Sequence, residues 1–383
     1  MRGRSILIAL LLVAGCGDNG GGKGNADMTV LPDMSRAPTD HPPLWRLQNT
    51  TTAPVQTAPE IWIVVWPGDE QLGADLVDFT DWMLHSDYWK TSMGEYGIGE
   101  GTAKGLIVLP TAPPASIGDS TLAGLSTMLV TSGQITGNAN TQVAFFPPSE
   151  TTVSLGGGFV SCGAFLGYHE HGKNSASAVA YSVNARCKGT PGEVLDGLTD
   201  TFSHEAAEAA TDPLPDNSGG IRDNSPAGQE VADLCEFGED MPIDVPPDTM
   251  HPAGRRYWVQ RLYSDKRAAM GDVDPCLPLP WDHPYWNVAF DPATILGAAG
   301  SSAAIDARLD VFAYGDVGEV HWTASSSDAD VEPPEGTAHA GDTIPITVTP
   351  FDTLRSGTVI EIDVISESAD AASQLWMGYV KVP

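Results

Sequence analysis

One histidine and two glutamates stand in the segment FSHEAAEAATDP (202–213) at the spacing of a zinc peptidase motif. Such enzymes carry His-Glu-x-x-His, in which both histidines bind the metal and the glutamate is the general base. Here His204 and Glu205 keep their positions, and Glu208 replaces the second histidine. A carboxylate can bind zinc in place of an imidazole, and residues four apart share one face of a helix. We therefore predict that His204 and Glu208 bind a metal and that Glu205 is the catalytic base.

A third ligand is expected in the downstream segment QEVADLCE (229–236). Glu230 lies 22 residues after Glu208, a distance at which one branch of these enzymes carries its third ligand. If the segment is helical, Asp233 shares a face with Glu230 and can orient a ligand by a hydrogen bond. We predict a metal site of His204, Glu208 and Glu230. Zinc is the expected cofactor, and calcium or manganese is the alternative because carboxylates suit those ions well.

Two more histidines lie in the segment CGAFLGYHEHG (162–172). His169 and His171 are two residues apart and would point the same way on a strand. Either could reach the metal or stabilise an anionic transition state, and we predict His169 as a catalytic residue. The sequence leaves another interpretation open. Glutamate is common on helices, so the motif could be an exposed acidic helix in a very acidic protein.

The charge balance excludes some classes of partner. The chain has 383 residues with 19 Lys+Arg against 50 Asp+Glu, a formal net charge of −31. Nucleic acid and anionic lipid surfaces both need a basic face. We therefore expect no nucleic acid partner. We expect a monomer that acts on, or binds, a peptide or polysaccharide.

The N-terminal segment has the pattern of an export signal. Two arginines precede the apolar run ILIALLLVAG, which is too short to span a bilayer. The following VAGC resembles the lipobox of bacterial lipoproteins, which predicts a signal peptide over 1–16 and lipidation of Cys16. Residues 17–58 are rich in Gly, Pro and Thr and are predicted to be a flexible tether. The expected location is the bacterial membrane, with the protein periplasmic or exposed at the cell surface.

The rest of the chain divides by its hydrophobic pattern. Over 59–280, apolar runs such as EIWIVVWPG alternate with segments of helical period, including a helix that should begin at a capping box of Thr190 and Glu193. Strand and helix in alternation indicate an α/β layer. From about residue 300 the apolar period becomes two, which predicts a C-terminal all-β immunoglobulin-like sandwich over 281–383.

The segments of the body, taken in order, resemble the exordium or phosphate-induced protein family of plants and its bacterial relatives. The resemblance spans roughly residues 60–276 and rests on IWIVVW, YWKTSMGEYG, CGAFLGYH, SHEAAEAATDP, EVADLCE and RRYWVQRLYSD. It implies an α/β (α+β) fold with a zincin-like core in a secreted or wall-associated protein. It also implies that eight residues occupy motif positions: Cys162, His169, His204, Glu205, Glu208, Glu230, Asp233 and Cys235. It implies no particular reaction, because a shared fold does not carry a shared activity.

Apart from Cys16, the chain has four cysteines. Four cysteines allow three pairings, and an exported protein is expected to form disulfides. Sequence order and the family motifs favour Cys162–Cys187 and Cys235–Cys276. A tetrathiolate zinc site is the alternative, although no Cys-x-x-Cys is present.

Two hypotheses about function follow. The first is a lipid-anchored, metal-dependent hydrolase resembling a peptidase. The second is a cell-surface binding, adhesion or signalling protein in which the metal site is structural.

Overall fold

A computed structural model describes residues 45–49, 54–172, 179–215, 220–236, 241–247, 251–269, 275–278, 285–314, 318–368 and 371–383. The predicted signal peptide, Cys16 and the predicted tether as far as residue 44 lie outside these ranges. Within them, no helix has both the length and the apolar character needed to cross a bilayer.

The described chain folds into a mixed α/β body followed by a β domain, which confirms the predicted fold at this level. The helices are α1 (Glu70–His85), α2 (Asp87–Met93), α3 (Asp119–Thr131), α4 (Pro191–Thr211) and α5 (Asp265–Ala269). The strands of the body are β1 (Leu47–Asn49), β2 (Glu60–Val65), β3 (Thr102–Val108), β4 (Ser116–Gly118), β5 (Thr141–Phe145), β6 (Thr152–Gly156), β7 (Phe159–Val160), β8 (Gly167–His171), β9 (Ala180–Asn184), β10 (Ile221–Asp223), β11 (Met241–Val245), β12 (Arg255–Val259), β13 (Leu262–Tyr263) and β14 (Cys276–Leu277). The strands of the β domain are β15 (Tyr285–Asp291), β16 (Thr294–Leu296), β17 (Ile305–Tyr314), β18 (Glu319–Ser325), β19 (Ala329–Glu332), β20 (Glu335–His339), β21 (Thr343–Pro350), β22 (Val359–Ser368) and β23 (Ala371–Lys381).

The main sheet of the body has the order β3-β2-β5-β9-β8. The first four strands are parallel, and β8 is an antiparallel edge strand beside β9. Both faces are covered, which explains the continuous apolar run of β2. Ile61 and Ile63 belong to the cluster formed with α1 and α4, and Val64 belongs to the cluster formed with α3.

Helix α4 begins where the sequence predicts. Thr190 accepts a hydrogen bond from the backbone N–H of Glu193, whose side chain accepts in return from the N–H of Thr190 at 2.7 Å. This capping box satisfies two N–H groups that a helix start leaves unpaired. The helix crosses the main sheet and is also covered by β12. Its C-terminal half, which carries the motif, is buried among small alanine side chains.

Both predicted disulfides are present, Cys162–Cys187 and Cys235–Cys276. The second ties the 3₁₀ turn Asp233–Cys235 to β14. A cross-link over a separation of 41 residues stabilises the folded chain by roughly 3–4 kcal/mol in the chain-entropy model. It holds the segment that carries Asp233 against the body.

The described part of the predicted tether is folded onto the body, which corrects the boundary at residue 58. Strand β1 pairs with β10, and Arg46 forms a bidentate ion pair with Asp265, with both contacts at 2.7 Å. Gln56 is fully buried, and its N–H donates to the carbonyl of Ala210 at 2.9 Å. Polar composition predicted a free segment, but these long-range partners could not be read from composition.

The β domain consists of two sheets packed around one core. Their orders are β15-β17-β21-β19 and β16-β23-β22-β18-β20. Trp286, Phe290 and Trp322 are buried between the sheets. Gly378 lies directly under Phe290, where any Cβ would overlap the ring.

Buried polar groups join the β domain to the body. The Gln229 side chain donates to Glu361 Oε2 at 2.9 Å, and the ring of Trp45 meets that of Tyr379 edge-on at 5.6 Å. Burial, with the charge of Asp363 adding to it, raises the pKa of Glu361 to about 7. Burial raises the pKa of Asp363 to about 6.

Replacing Glu361 by glutamine should raise the melting temperature at about pH 8 and leave it nearly unchanged at about pH 5. A carboxyl whose pKa is raised on folding binds its proton more tightly in the folded chain. Its stabilising contribution is therefore full below the ordinary pKa of 4.5 and is lost as the pH rises through about 7. The gain at the higher pH is on the order of 2 kcal/mol, or a few degrees. Glu367→Gln, exposed on the same strand, is the matched control. Equal melting temperatures for wild type and Glu361→Gln at the higher pH would contradict the prediction.

Candidate metal centre

Three segments bring the predicted site residues together. Helix α4 supplies His204, Glu205 and Glu208, the edge strand β8 supplies His169, and the chain between β10 and β11 supplies Glu230 and Asp233. Glu205 and Glu208 are only 4% and 3% exposed. The alternative of an exposed acidic helix is therefore wrong.

The first group of donor atoms lies around one oxygen of Glu208. His204 Nε2 is 3.2 Å from Glu208 Oε1 and 3.7 Å from Asp233 Oδ1. The donor atoms of these three residues all lie within 4.8 Å of one another. Ligands about 2.0–2.2 Å from a tetrahedral ion are roughly 3.3–3.6 Å apart, so this spacing suits a metal ligand set.

The second group lies around the other oxygen of the same carboxylate. His169 Nδ1 is 3.3 Å from Glu208 Oε2 and 3.7 Å from Glu205 Oε2. These three residues also offer donor atoms within 4.8 Å of one another. The two groups share Glu208 and no other residue, so this carboxylate stands at the centre of the cluster.

Glu230 and Asp233, predicted as the third ligand and its orienting neighbour, contact different histidines of the cluster. Glu230 Oε1 is 3.6 Å from His169 Nε2 and 3.4 Å from Arg222, whereas Asp233 contacts His204. The segment is not an α-helix: Glu230 precedes the 3₁₀ turn, and its N–H donates to Asp233 Oδ2 at 3.1 Å. Glu230 was predicted from its spacing, and a shared helical face was the premise only for the orienting role of Asp233. The structure replaces it with a turn that points the two carboxyls apart.

The electrostatics of the cluster follow from crowding buried carboxyls around two imidazoles. Burial alone would lower the pKa values of both histidines. The facing carboxylates have the larger, opposite effect, so both pKa values are well above the usual range. Burial raises the pKa of Glu230 to about 8. The pKa of Glu208 is instead lowered, because both histidines outweigh the effect of its burial. Protons on the imidazoles therefore balance part of the negative charge when no cation is bound.

Burial also raises the pKa of Glu205, and the neighbouring histidines reduce this effect. Burial, followed by the charge of Glu208, raises that of Asp233 well above its usual range. A bound cation would stabilise the ionised carboxylates and the neutral imidazoles. Cation binding should therefore release protons from the cluster.

The donor set fits a divalent metal ion. Three buried atoms in the described cluster have no hydrogen-bond partner: His169 Nε2, Glu205 Oε2 and Glu230 Oε1. Buried polar atoms are normally satisfied, so such atoms point to a ligand or ion. A set of imidazole nitrogens and carboxylate oxygens suits zinc or manganese. It suits calcium less well, because calcium prefers oxygen ligands to histidine nitrogens.

Gln260, which the sequence motifs did not reveal, fixes the orientation of His204. His204 Nδ1 is 2.7 Å from Gln260 Oε1. The Gln260 Nε2 donates to the carbonyl of Ala232 at 2.8 Å, and its backbone N–H donates to Ser203 Oγ at 2.9 Å. With the amide held this way, His204 donates through Nδ1 and presents Nε2 to the carboxylates. Only the folded chain brings residues 204 and 260 together, so no local pattern could have found it.

Replacing Gln260 by methionine should weaken metal binding about 10–100-fold, as loss of such an orienting partner typically does. Gln260→Glu should restore most of the affinity, since it keeps an acceptor for His204 Nδ1. Gln56→Met is the control: it removes another buried amide, one that donates to the Thr141 carbonyl away from the cluster. It should lower the melting temperature without changing the dissociation constant, measured by metal titration. Equal affinity of wild type and Gln260→Met would refute the positioning role.

His171 is in neither donor group, although it lies on the same strand as His169. Its Nδ1 is 3.8 Å from Glu170. Of the two histidines considered in this segment, the structure places His169 in the cluster.

No protein-family model matches the chain, and no curated protein matches it. Among solved structures, the CsuC–CsuE chaperone–tip adhesion subunit complex of Acinetobacter baumannii is 13% identical with a TM-score of 0.20, covering 25% of this chain and 56% of that chain. The E. coli chaperone DraB is 9% identical with a TM-score of 0.21, covering 26% and 56%. SSP-19, an MSP-domain protein-like family member of Caenorhabditis elegans, is 14% identical with a TM-score of 0.19, covering 24% and 98%. This protein spans just over half the length of the first two chains, and similarity at this level gives no information about its activity.

Proposed function

We propose that the body is a metal-dependent hydrolase with a zincin-like core, followed by an immunoglobulin-like domain and carried outside the cytoplasm on a lipid anchor at Cys16. The observation that supports this most is the buried cluster built on α4, with its unsatisfied donor atoms. His204, Glu208 and Asp233 are the proposed ligands of a zinc or manganese ion. Asp233 thus takes the ligand position expected for Glu230.

The residues around this position have separate tasks. A divalent ion there would supply a Lewis acid and lower the pKa of a water bound to it. The carboxylate of Glu205 lies in the same buried cluster as the proposed ligands and can accept a proton at Oε2. Burial raises the pKa of this carboxyl, which makes it a stronger base. His169 lies between Glu208 and Glu230 and holds both carboxylates in place.

Peptides or polysaccharides are the proposed substrates. A protein this acidic is repelled electrostatically by nucleic acid and by anionic lipid. Metal analysis of the purified full chain tests the proposal. We expect at least one equivalent of a divalent metal, its removal by a chelator, and a lower melting temperature after removal. His204→Ala should lose the metal, and His339→Ala, which changes an exposed histidine of the β domain, should keep it.

Less than half an equivalent of any metal, unaffected by His204→Ala, would overturn the proposed function. Bound metal without hydrolysis of any substrate in broad peptide and glycan panels would instead favour the second hypothesis, a binding or adhesion protein with a structural metal site.

A further inference from the structure

We infer that the cluster binds two divalent cations, which share Glu208 as a bridging ligand. The inference rests on the metal site of the proposed function and adds a second position to it. The first ion lies between His204, Glu208 and Asp233. The second lies between His169, Glu205 and Glu208.

The geometry of Glu208 is the first argument. Its two oxygens face different histidines, Oε1 towards His204 Nε2 at 3.2 Å and Oε2 towards His169 Nδ1 at 3.3 Å. One carboxylate that offers each oxygen to a separate ion is a common bridge, and bridged ions are roughly 3.5–4 Å apart. The two donor groups meet at this carboxylate, and each has one histidine and one carboxylate of its own.

The unsatisfied atoms are the second argument. Glu205 Oε2 is buried without a hydrogen-bond partner in the described structure, and it belongs to the second group, not the first. In the first group, Asp233 Oδ2 accepts a hydrogen bond from the N–H of Glu230, and His204 Nδ1 is hydrogen-bonded to Gln260 Oε1. A single ion in the first position would leave Glu205 Oε2 unsatisfied, whereas an ion in the second position would satisfy it.

Charge is the third argument. Glu205, Glu208, Glu230 and Asp233 carry four negative charges when ionised, and two divalent cations would balance them. Arg222 is the positive side chain next to Glu230, but Asp212 holds it at 2.7 Å. With one divalent ion in the first position, the remaining buried carboxylate charge would be balanced only in part, by a proton on His169, and uncompensated buried charge is costly.

A second ion changes the task of Glu205. It becomes a ligand through Oε2, where the proposed function alone makes it a proton acceptor. The metal content of a Glu205 variant distinguishes these two roles. Replacing a residue that acts only as a base leaves the number of bound ions unchanged, whereas replacing a ligand loses an ion.

Mn²⁺ alone is the probe, added to the metal-free full chain in salt high enough to screen exposed carboxylates. We expect two tightly bound equivalents and an electron paramagnetic resonance spectrum of a coupled pair. Glu205→Gln and Asp233→Asn should each leave one equivalent with the spectrum of an isolated ion. Glu170→Gln, which changes the neighbouring carboxylate of β8 outside both groups, should keep two.

One equivalent in the wild type, or two that Glu205→Gln leaves unchanged, would overturn the second position and leave the proposed function standing. No bound Mn²⁺ and no bound zinc would overturn both. The wild-type stoichiometry and spectrum do not depend on a variant, so the test holds even if a substitution prevents folding.

Discussion

Replacing Glu205 by glutamine should lower the rate of hydrolysis by about 10²–10⁴-fold, the usual contribution of a positioned acid–base group. Glutamine has nearly the same shape and fits the same buried space, but it cannot accept the proton and is a poor ligand for a hard cation. The loss is expected whether Glu205 acts as the base or holds the second ion. The loss of rate should therefore occur without loss of the fold.

The assay compares initial rates on a fluorescence-quenched peptide library and a glycan panel, with circular dichroism and melting temperature measured on the same samples. Glu170→Gln is the control, since it changes a carboxylate of the adjacent strand and should keep the wild-type rate. A folded Glu205→Gln protein that retains the wild-type rate would remove Glu205 from the mechanism.

The start of α4 and the arrangement of its motif could be predicted because they depend only on residues close together in the sequence. The capping box that starts α4 and the spacing of His204 and Glu208 depend on residues within a few turns of each other. The continuous apolar run EIWIVVWPG likewise predicted a strand of an α/β layer. The change to period two after residue 300 predicted the β domain, because alternation itself is the signal of a half-buried strand.

What the sequence could not supply is the relation between distant segments. The predicted ligand set took Glu230 because of its spacing, and a short turn then placed Asp233 beside His204 instead. Gln260 is brought to His204 by β12 packing on α4. The folding of residues 45–49 onto β10 depends on backbone pairing across the body. In each case the deciding contact joins residues that are far apart in the sequence, where the spacing of residue types gives no information.

Replacing Gly167 by alanine should abolish hydrolysis about as completely as Glu205→Gln, although this residue carries no functional group. A Cβ at this position would lie 2.5 Å from Glu205 Oε1 and 2.7 Å from Thr201 Cγ2. Such separations are too short for non-bonded atoms, so the Glu205 side chain must move away from β8. Since Glu205 Oε2 points to His169 across the same gap, the movement breaks the second donor group.

Gly197→Ala is the matched control, because that glycine lies exposed on α4 with open space around its Cα. It should keep full activity and gain up to about 1 kcal/mol of stability from better helix propensity. Gly167→Ala should lose activity and also about 1–3 kcal/mol of stability through overpacking. Adding Thr201→Ser to Gly167→Ala removes the methyl contact but not the contact with Glu205. The double variant should therefore recover part of the melting temperature and none of the activity, and recovery of both would show that packing, not the position of Glu205, limits the single variant.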